Sequence, residues 1–342
     1  MIGYKLAGAA VALGLLAAPM VAQAQGSGSA TLDAVKSRGL LVCGVSTGST
    51  GFSLADSKGV IQGLDADGCR AIAATALGDS SKVRFVPLTS TSRFTALQSG
   101  EVDVLIRETT WTLGREGNLG LLFADVNYYD GTGFLVKTSS GVKSAKELDG
   151  ATVCVQPGTS TELADGDYFR VNNMKFTPIL ITDLNEIENA FLSGRCDAYS
   201  TDGSALAAFR FAQGDKASTL TLLPEVISKE PLGPMVRKGD DKWFDLVRWT
   251  HFAALTAEEE GINSKNIDSF MNSTVPDVRR LLGLEGDMGK ALGVDNKWAY
   301  NLVKQVGNFG EMWDRSITPM GVPRGLNNLW TKGGLQYAPP IR

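Results

Sequence analysis

Histidine is nearly absent: His251 is the single one in 342 residues. That excludes a histidine-built metal centre, and any Ser–His nucleophile would depend on that one ring. Cysteine is scarce, at four, with a spacing that fits no zinc pattern. Neither charge sign dominates: 33 basic against 37 acidic residues leave a net charge of -4. Such mild acidity argues against a nucleic-acid partner, which calls for a basic face. Past residue 24 no apolar run is long enough to cross a hydrocarbon layer of ~30 Å.

What remains is an ordinary globular composition, 43% apolar and 20% charged, in a chain long enough for two domains. Residues 1–24 read as an export signal. Lys5 supplies the positive charge, Leu6 to Val21 the apolar segment, and Ala22-Gln23-Ala24 a small-x-small cleavage site. The alternative for this segment is an uncleaved anchor, for which it is short. Residues 25–30 form a Gly/Ser linker. Without Lys5 the mature chain has 32 basic and 37 acidic residues, hence -5.

The stretch Leu97 to Glu116 (LQSGEVDVLIRETTWTLGRE) reads as helix end, strand, turn and new helix. Phe94 and Leu97 share a helical face and Gly100 stops it. Val102, Val104 and Ile106 form a buried strand. Its C-terminal edge opens into Arg107, Glu108, Thr109, Thr110 and Thr112, with Arg115 a turn further on. Ligands of open α/β sheets sit at such edges, and the planar fork of arginine matches a carboxylate. The pattern recurs: Ser99-Gly100-x-x-Asp103 reappears as Ser193-Gly194-x-x-Asp197, with a further acid five residues beyond each aspartate, Glu108 and Asp202. Two copies of one unit imply two similar lobes facing a shared cleft.

Helices are expected at Leu32–Arg38, Asp67–Leu77, Leu184–Leu192, Lys242–Ala257, Val275–Leu282 and Lys297–Trp313. Strands are expected at Leu40–Val45, Val83–Pro87, Ala151–Gln156, Phe176–Ile181 and Cys196–Tyr199. The loop Ser46 to Ser53 belongs beside a ligand or on a turn, and its Phe52 either lines a cleft or anchors the loop. Thr159 and Glu162 have capping-box spacing behind Pro157-Gly158, so the free amides of a new helix make an anion site or a plain cap. Asp202, beside Ser200 and Thr201, either holds a cation or caps the helix from Gly203. Extended crossovers near 127–135 and 222–231 divide the chain into lobe 1 (31–128 and 230–342, with a C-terminal helical extension) and lobe 2 (133–222), joined by a two-strand hinge. Because Cys43 and Cys69 fall in one lobe and Cys154 and Cys196 in the other, those disulfides are predicted, each worth about 3 kcal/mol through loop closure. Four cysteines allow three connectivities, and this one rests on the lobe assignment.

With these residues in place, the chain resembles the solute-binding subunits of amino-acid ABC importers (solute-binding protein family 3), in particular the general L-amino-acid-binding proteins of Gram-negative bacteria. GLDADGCRAIAA, FTALQSGEVDVL, TTWTLGRE, VCVQPGTSTELADGDYFR, SGRCDAYSTD and PRGLNNLWTKGGLQYAPPIR carry the likeness across the mature chain. It implies an α/β periplasmic-binding-protein fold (type II), each lobe a mostly parallel sheet flanked by helices. It implies capture of free L-amino acids with broad specificity, delivery to a membrane permease, a monomer, no cofactor and a periplasmic location after cleavage behind Ala24. By the same resemblance Arg115 clamps the ligand carboxylate. Thr110 offers its amide to the carboxylate and its hydroxyl to the amino group, and position 108 lends a carbonyl. Ser160, with Thr159 beside it, completes the carboxylate cradle, and Asp202 pairs with the ammonium. Ser90 and Arg93 approach the side chain, and Ser49 and Phe52 contact the ligand from the first loop. Two departures stand out. Ser90 replaces a stacking aromatic of several single-substrate relatives, which suits a broad pocket. Glu108 replaces a smaller residue, usually Asn, and favours basic ligands unless it points away or pairs with Arg107 or Arg93. The rival readings are a cleft enzyme, an amino-acid-like dehydratase using Glu108 as general acid, and a sensor-coupled amino-acid receptor.

Overall fold

The computed structural model describes residues 1–3 and 27–342. The export segment lies, but for its first three residues, outside the described residues, as does the start of the linker. In chain order the strands are β1 (Leu41–Val45), β2 (Leu54–Ala55), β3 (Ile61–Gln62), β4 (Val83–Pro87), β5 (Val104–Leu105), β6 (Leu121–Phe123), β7 (Tyr128–Asp130), β8 (Thr132–Lys137), β9 (Ala151–Val155), β10 (Phe176–Leu180), β11 (Ala198–Asp202), β12 (Leu220–Leu222), β13 (Glu230–Leu232) and β14 (Met235–Arg237).

Two five-stranded sheets form, ordered β4-β1-β5-β14-β6 and β10-β9-β11-β8-β12. Their topologies are the same. In each, three strands pair in parallel, the fourth is antiparallel, and the fifth is antiparallel to the fourth. Four strands thus run one way, and the reversed strand, β14 or β8, is the one that enters from the hinge. β7 and β13 form a separate two-stranded sheet and join the two larger ones, with a bridge from Leu232 of β13 to Thr110. The extended crossover expected near 127–135 consists of β7 and the start of β8, and β8 runs on as an interior strand of the second sheet, where Phe134 to Val136 are buried.

The repeated aspartates explain the likeness of the lobes. Asp103 accepts a hydrogen bond from the Val42 amide at 2.7 Å and its own amide donates to the Val42 carbonyl at 2.8 Å. Asp197 treats Thr152 in the same way, at 2.8 and 2.9 Å. Each carboxylate binds the start of the neighbouring strand after a helix closed by a left-handed glycine, Gly100 or Gly194. The disulfides Cys43–Cys69 and Cys154–Cys196 are both present. Cys43 lies in β1 and Cys69 in the helix Leu64–Leu77, so the first disulfide ties that helix to the sheet. At the hinge, a Cβ on Gly233 would sit 1.9 Å from the Asp125 carbonyl, so only glycine lets β13 leave for β14 there.

The C-terminal residues pack on the first sheet's side as a second core built around Trp298, Phe309 and Trp313. The helix expected over Lys297–Trp313 is two helices, Trp298–Gln305 and Phe309–Ser316. The chain breaks at Gly307 (φ 99°), and Asn308 with Glu311 forms a reciprocal capping box that starts the second helix. Arg324 grips Glu258 with both guanidinium nitrogens, at 2.6 and 2.7 Å, and pins the closing segment to the helix Asp241–Glu259. None of the described helices is long and apolar enough to cross a membrane.

Candidate functional site

The parallel strands of both lobes end at one place. Ser46 follows β1, Arg107 and Glu108 follow β5, Gln156 follows β9, and Asp202 closes β11. All line an interlobe cavity of about 50 Å³, together with Ser49, Arg93, Thr110, Thr159, Ser160, Thr161, Leu184, Tyr199, Thr201 and Ala205. The lobes touch across it. The Thr110 and Ser160 hydroxyls lie 2.8 Å apart, the Ser90 hydroxyl donates to the Pro157 carbonyl at 3.0 Å, and Arg93 Nη2 reaches the Gly158 carbonyl at 3.5 Å.

Glu108 has φ 40°, a left-handed conformation that a non-glycine residue holds at a cost. Its amide donates to Asp65 Oδ2 at 3.1 Å, and its Oε1 accepts from the Ser49 hydroxyl at 2.9 Å. Burial pushes its carboxyl pKa up, against the pull of Arg107. Asp65, wholly enclosed beneath it, is pushed up to about 8, first by burial and then by Glu108. Glu108 therefore faces the cavity and is held by Ser49, with Arg107 as its charged neighbour.

Asp202 stands at the head of the helix Gly203–Ala212 but makes no capping bond. Its carboxylate lines the cavity. Burial, and then the negative charges of Asp130, Glu230 and Glu108, raise its pKa well above the carboxylate range, while Arg93 opposes them. A cation placed beside it would relieve that. Across the cavity Arg93 is 2% exposed, its Nη1 makes a long 3.3 Å bond to Thr109, and its Nε has no partner among the described residues. Burial and the neighbouring Arg107 and Arg115 push its pKa down. Arg107 Nε donates to the Leu88 carbonyl at 3.0 Å. An anionic or amide group is what these two guanidinium groups lack.

Thr159 caps the helix Ser160–Val171: its hydroxyl accepts from the Glu162 amide at 3.1 Å and donates to the Gln156 carbonyl at 2.8 Å. Glu162 reaches the Gly158 amide, at 2.8 Å, one residue short of a full capping box. Thr159, Ser160 and Thr161 all line the cavity, so the positive end of this helix lies at its wall.

Seven of the residues singled out in the sequence line the cavity together: Ser49, Arg93, Glu108, Thr110, Thr159, Ser160 and Asp202. Three do not. Ser90 seals the interlobe contact with Pro157. Arg115 rests its Nη1 on the Thr110 carbonyl at 2.7 Å, with its guanidinium 5.3 Å from the Phe94 ring centre. Phe52 is a correction: it is fully buried, edge-on to Tyr128 at 5.5 Å, so it anchors the first loop in the core instead of facing a ligand. Arg107, expected only as a neighbour of Glu108, lines the cavity in its own right, and so does Gln156, which follows β9 and was placed at the end of a strand without a role. The sequence reading passed over Glu230, a buried acid on β13 that bonds both Thr110 and Ser160. Among the described residues no group of acidic, histidine or cysteine side chains could hold a metal ion.

Comparison with known proteins agrees with this architecture. The glutamate/glutamine/aspartate/asparagine-binding protein BztA of Rhodobacter capsulatus is 53% identical over 94% of this chain and 97% of its own. The general L-amino acid-binding periplasmic protein AapJ of Rhizobium johnstonii is 49% identical over 99% of both. A periplasmic binding protein of an ABC transporter from Brucella ovis, solved with glutathione bound, superposes with a TM-score of 0.89 at 50% identity, covering 91% of this chain and 99% of that one. Residues 41–261 match the model of one family, and the chain belongs to it: the bacterial extracellular solute-binding proteins, family 3.

Proposed function

We propose that this protein is the periplasmic substrate-binding subunit of an ABC importer, closing its two lobes on free L-amino acids and presenting them to a membrane permease. One observation carries the reading. The interlobe cavity has a buried carboxylate, Asp202, with no hydrogen bond or ion pair among the described residues, opposite buried guanidinium groups and a helix N-terminus. That polarity matches a zwitterion. Asp202 and the Thr110 hydroxyl take the ammonium. Arg115, turning from the Thr110 carbonyl, takes the α-carboxylate with the amides of Thr110 and Ser160. These contacts ignore the side chain, which suits broad uptake. The names of BztA and AapJ support the same class of ligand. With about 10 non-hydrogen atoms at roughly 1 kcal/mol each, sub-micromolar affinity is within reach. The mature protein begins after Ala24 and acts as a monomer in the periplasm.

Side-chain preference is decided by Glu108 against Arg93 and Arg107. Once the ligand's ammonium engages Asp202, two cations stand against one remaining acid, Glu108, which is held by Ser49 with a raised pKa. That balance favours acidic and amide side chains over basic ones, the reverse of what Glu108 alone suggests.

A second reading extends the ligand class. The Brucella ovis relative was solved with glutathione. The γ-glutamyl end of glutathione carries the same free α-amino acid, so the zwitterion clamp would accept it with the lobes less fully closed.

Calorimetric titration of refolded, ligand-free protein with each L-amino acid, the D-isomers and glutathione tests these readings. Binding of many L-forms and no D-forms is expected. Silence toward every amino acid overturns the transport reading.

A further inference from the structure

Glu230 is 2% exposed and lies on the hinge strand β13, outside the cavity lining. Its carboxylate collects hydroxyls from both lobes. Thr110 Oγ1 donates to Oε2 at 2.5 Å and Ser160 Oγ donates to the same oxygen at 2.7 Å. Thr132 Oγ1 donates to Oε1 at 3.2 Å, and the Ser228 hydroxyl donates to it as well. The Thr110 and Ser160 oxygens are also within hydrogen-bond distance of each other, at 2.8 Å.

Two hydroxyl protons therefore serve a triangle of three short oxygen–oxygen contacts. Each hydroxyl has one proton, and an ionised carboxylate has none to give. Both protons are consumed inside the triangle, drawn there by the strongest acceptor present. Thr110 and Ser160 nevertheless line the cavity. What they can turn toward it is lone pairs.

We infer that Glu230 is a positioning residue for recognition of the ligand's ammonium: it commits the Thr110 and Ser160 hydroxyl protons to itself, so that both oxygens face the cavity as acceptors. The inference rests on the amino-acid reading above. It gives the cavity a polarity that a hydroxyl alone does not have, since a free threonine or serine can turn either way. It also ties that polarity to the meeting of the lobes through Ser160: Thr110 is paired with the hinge strand itself, with the Trp111 amide donating to the Pro231 carbonyl at 2.7 Å, whereas Ser160 comes from the other lobe. A carboxamide at position 230 offers one oxygen and an NH2 group. A hydroxyl facing the NH2 must accept, and its own proton is released toward the cavity.

The test compares L-glutamate with (S)-2-hydroxyglutarate, which differ only in ammonium against hydroxyl, by competition titration on the whole mature protein. In the wild type L-glutamate is preferred. Glu230→Gln is expected to reduce that preference by about tenfold, chiefly through weaker L-glutamate binding, a loss of the size of one charge-assisted contact. A merely structural role would weaken both probes equally and leave the ratio unchanged, which overturns the inference. Should Glu230→Gln fail to fold, Glu230→Asp, one methylene shorter and so drawn away from the Thr110 and Ser160 hydroxyls, is expected to lower the ratio by about two- to threefold, and an unchanged ratio again overturns it. Wild-type protein that binds neither probe nor any other amino acid overturns the ligand reading itself, and this inference with it.

Discussion

Asn327 holds Tyr129 through both of its backbone polar groups. Its Oδ1 accepts from the Tyr129 amide at 2.7 Å and its Nδ2 donates to the Tyr129 carbonyl at 3.0 Å. Tyr129 is the middle residue of hinge strand β7, whose other edge pairs with β13. A side-chain amide from the C-terminal segment thus occupies the free edge of the hinge as a further strand would. Asn327→Ala removes two bonds to half-buried backbone. It is expected to cost about 1–2 kcal/mol and to speed amide exchange at Tyr129. Denaturant titration and hydrogen exchange at that amide check it, and unchanged exchange would show that the contact does not brace the hinge.

Stability should fall as pH rises. Burial pushes Asp65 up to about 8, Asp165 and Glu188 to about 7, and Asp130 to about 6. In the unfolded chain such groups release their protons near pH 4. Between about pH 4 and pH 8 the folded state therefore binds more protons, and its advantage is lost as pH climbs through the folded values. Ligand-free protein is expected to melt about 5 °C or more higher at pH 5 than at pH 8. Asp65→Asn, which keeps an acceptor for the Glu108 amide, should flatten that profile.

Ligand affinity should follow pH in the opposite sense. Asp202 has a raised pKa in the empty cavity, and an ammonium beside it favours the ionised form. Binding then releases a proton wherever Asp202 is protonated beforehand, so affinity weakens by up to about tenfold per unit as pH is lowered. Calorimetry in buffers of different ionisation enthalpy measures the proton directly. Uptake of a proton, or none at any pH, would remove Asp202 from the ammonium site.

Glu108→Gln should retune preference without abolishing binding. The amide still accepts from Ser49 but removes one of the two cavity acids, Glu108 and Asp202, that act on Arg93 and Arg107. The affinity ratio of L-glutamate to L-arginine is expected to rise about tenfold or more, given the strength of a charge pair near 4 Å. A fall in that ratio would mean that position 108 does not face the ligand side chain.

Local pattern carried much of this. The strand Val83–Pro87, the Thr159 helix cap and the two Ser-Gly-x-x-Asp units were legible because each depends on neighbours a few residues away. The repeat also placed Glu108 and Asp202 at equivalent strand ends, since a shared topology brings equivalent ends to one cleft. Even the break at Gly307 had a local signal in the Asn308–Glu311 spacing, passed over in favour of the apolar period on either side.

Other features had no local signal. Whether Phe52 faces a ligand or the core was settled by Tyr128, far along the chain. Whether Asp202 caps a helix was settled by its missing bond to the following amides. Glu230 was invisible because its meaning lies in hydroxyls at positions 110, 132, 160 and 228, drawn from two lobes and the hinge. By itself the sequence determined the lobes, their sheets and the strand ends that carry the site, through short-range periodicity and caps. The tertiary structure alone decided which way each hydroxyl proton and each charge points, because hydrogen bonding and desolvation depend on partners that only folding brings within 3 Å.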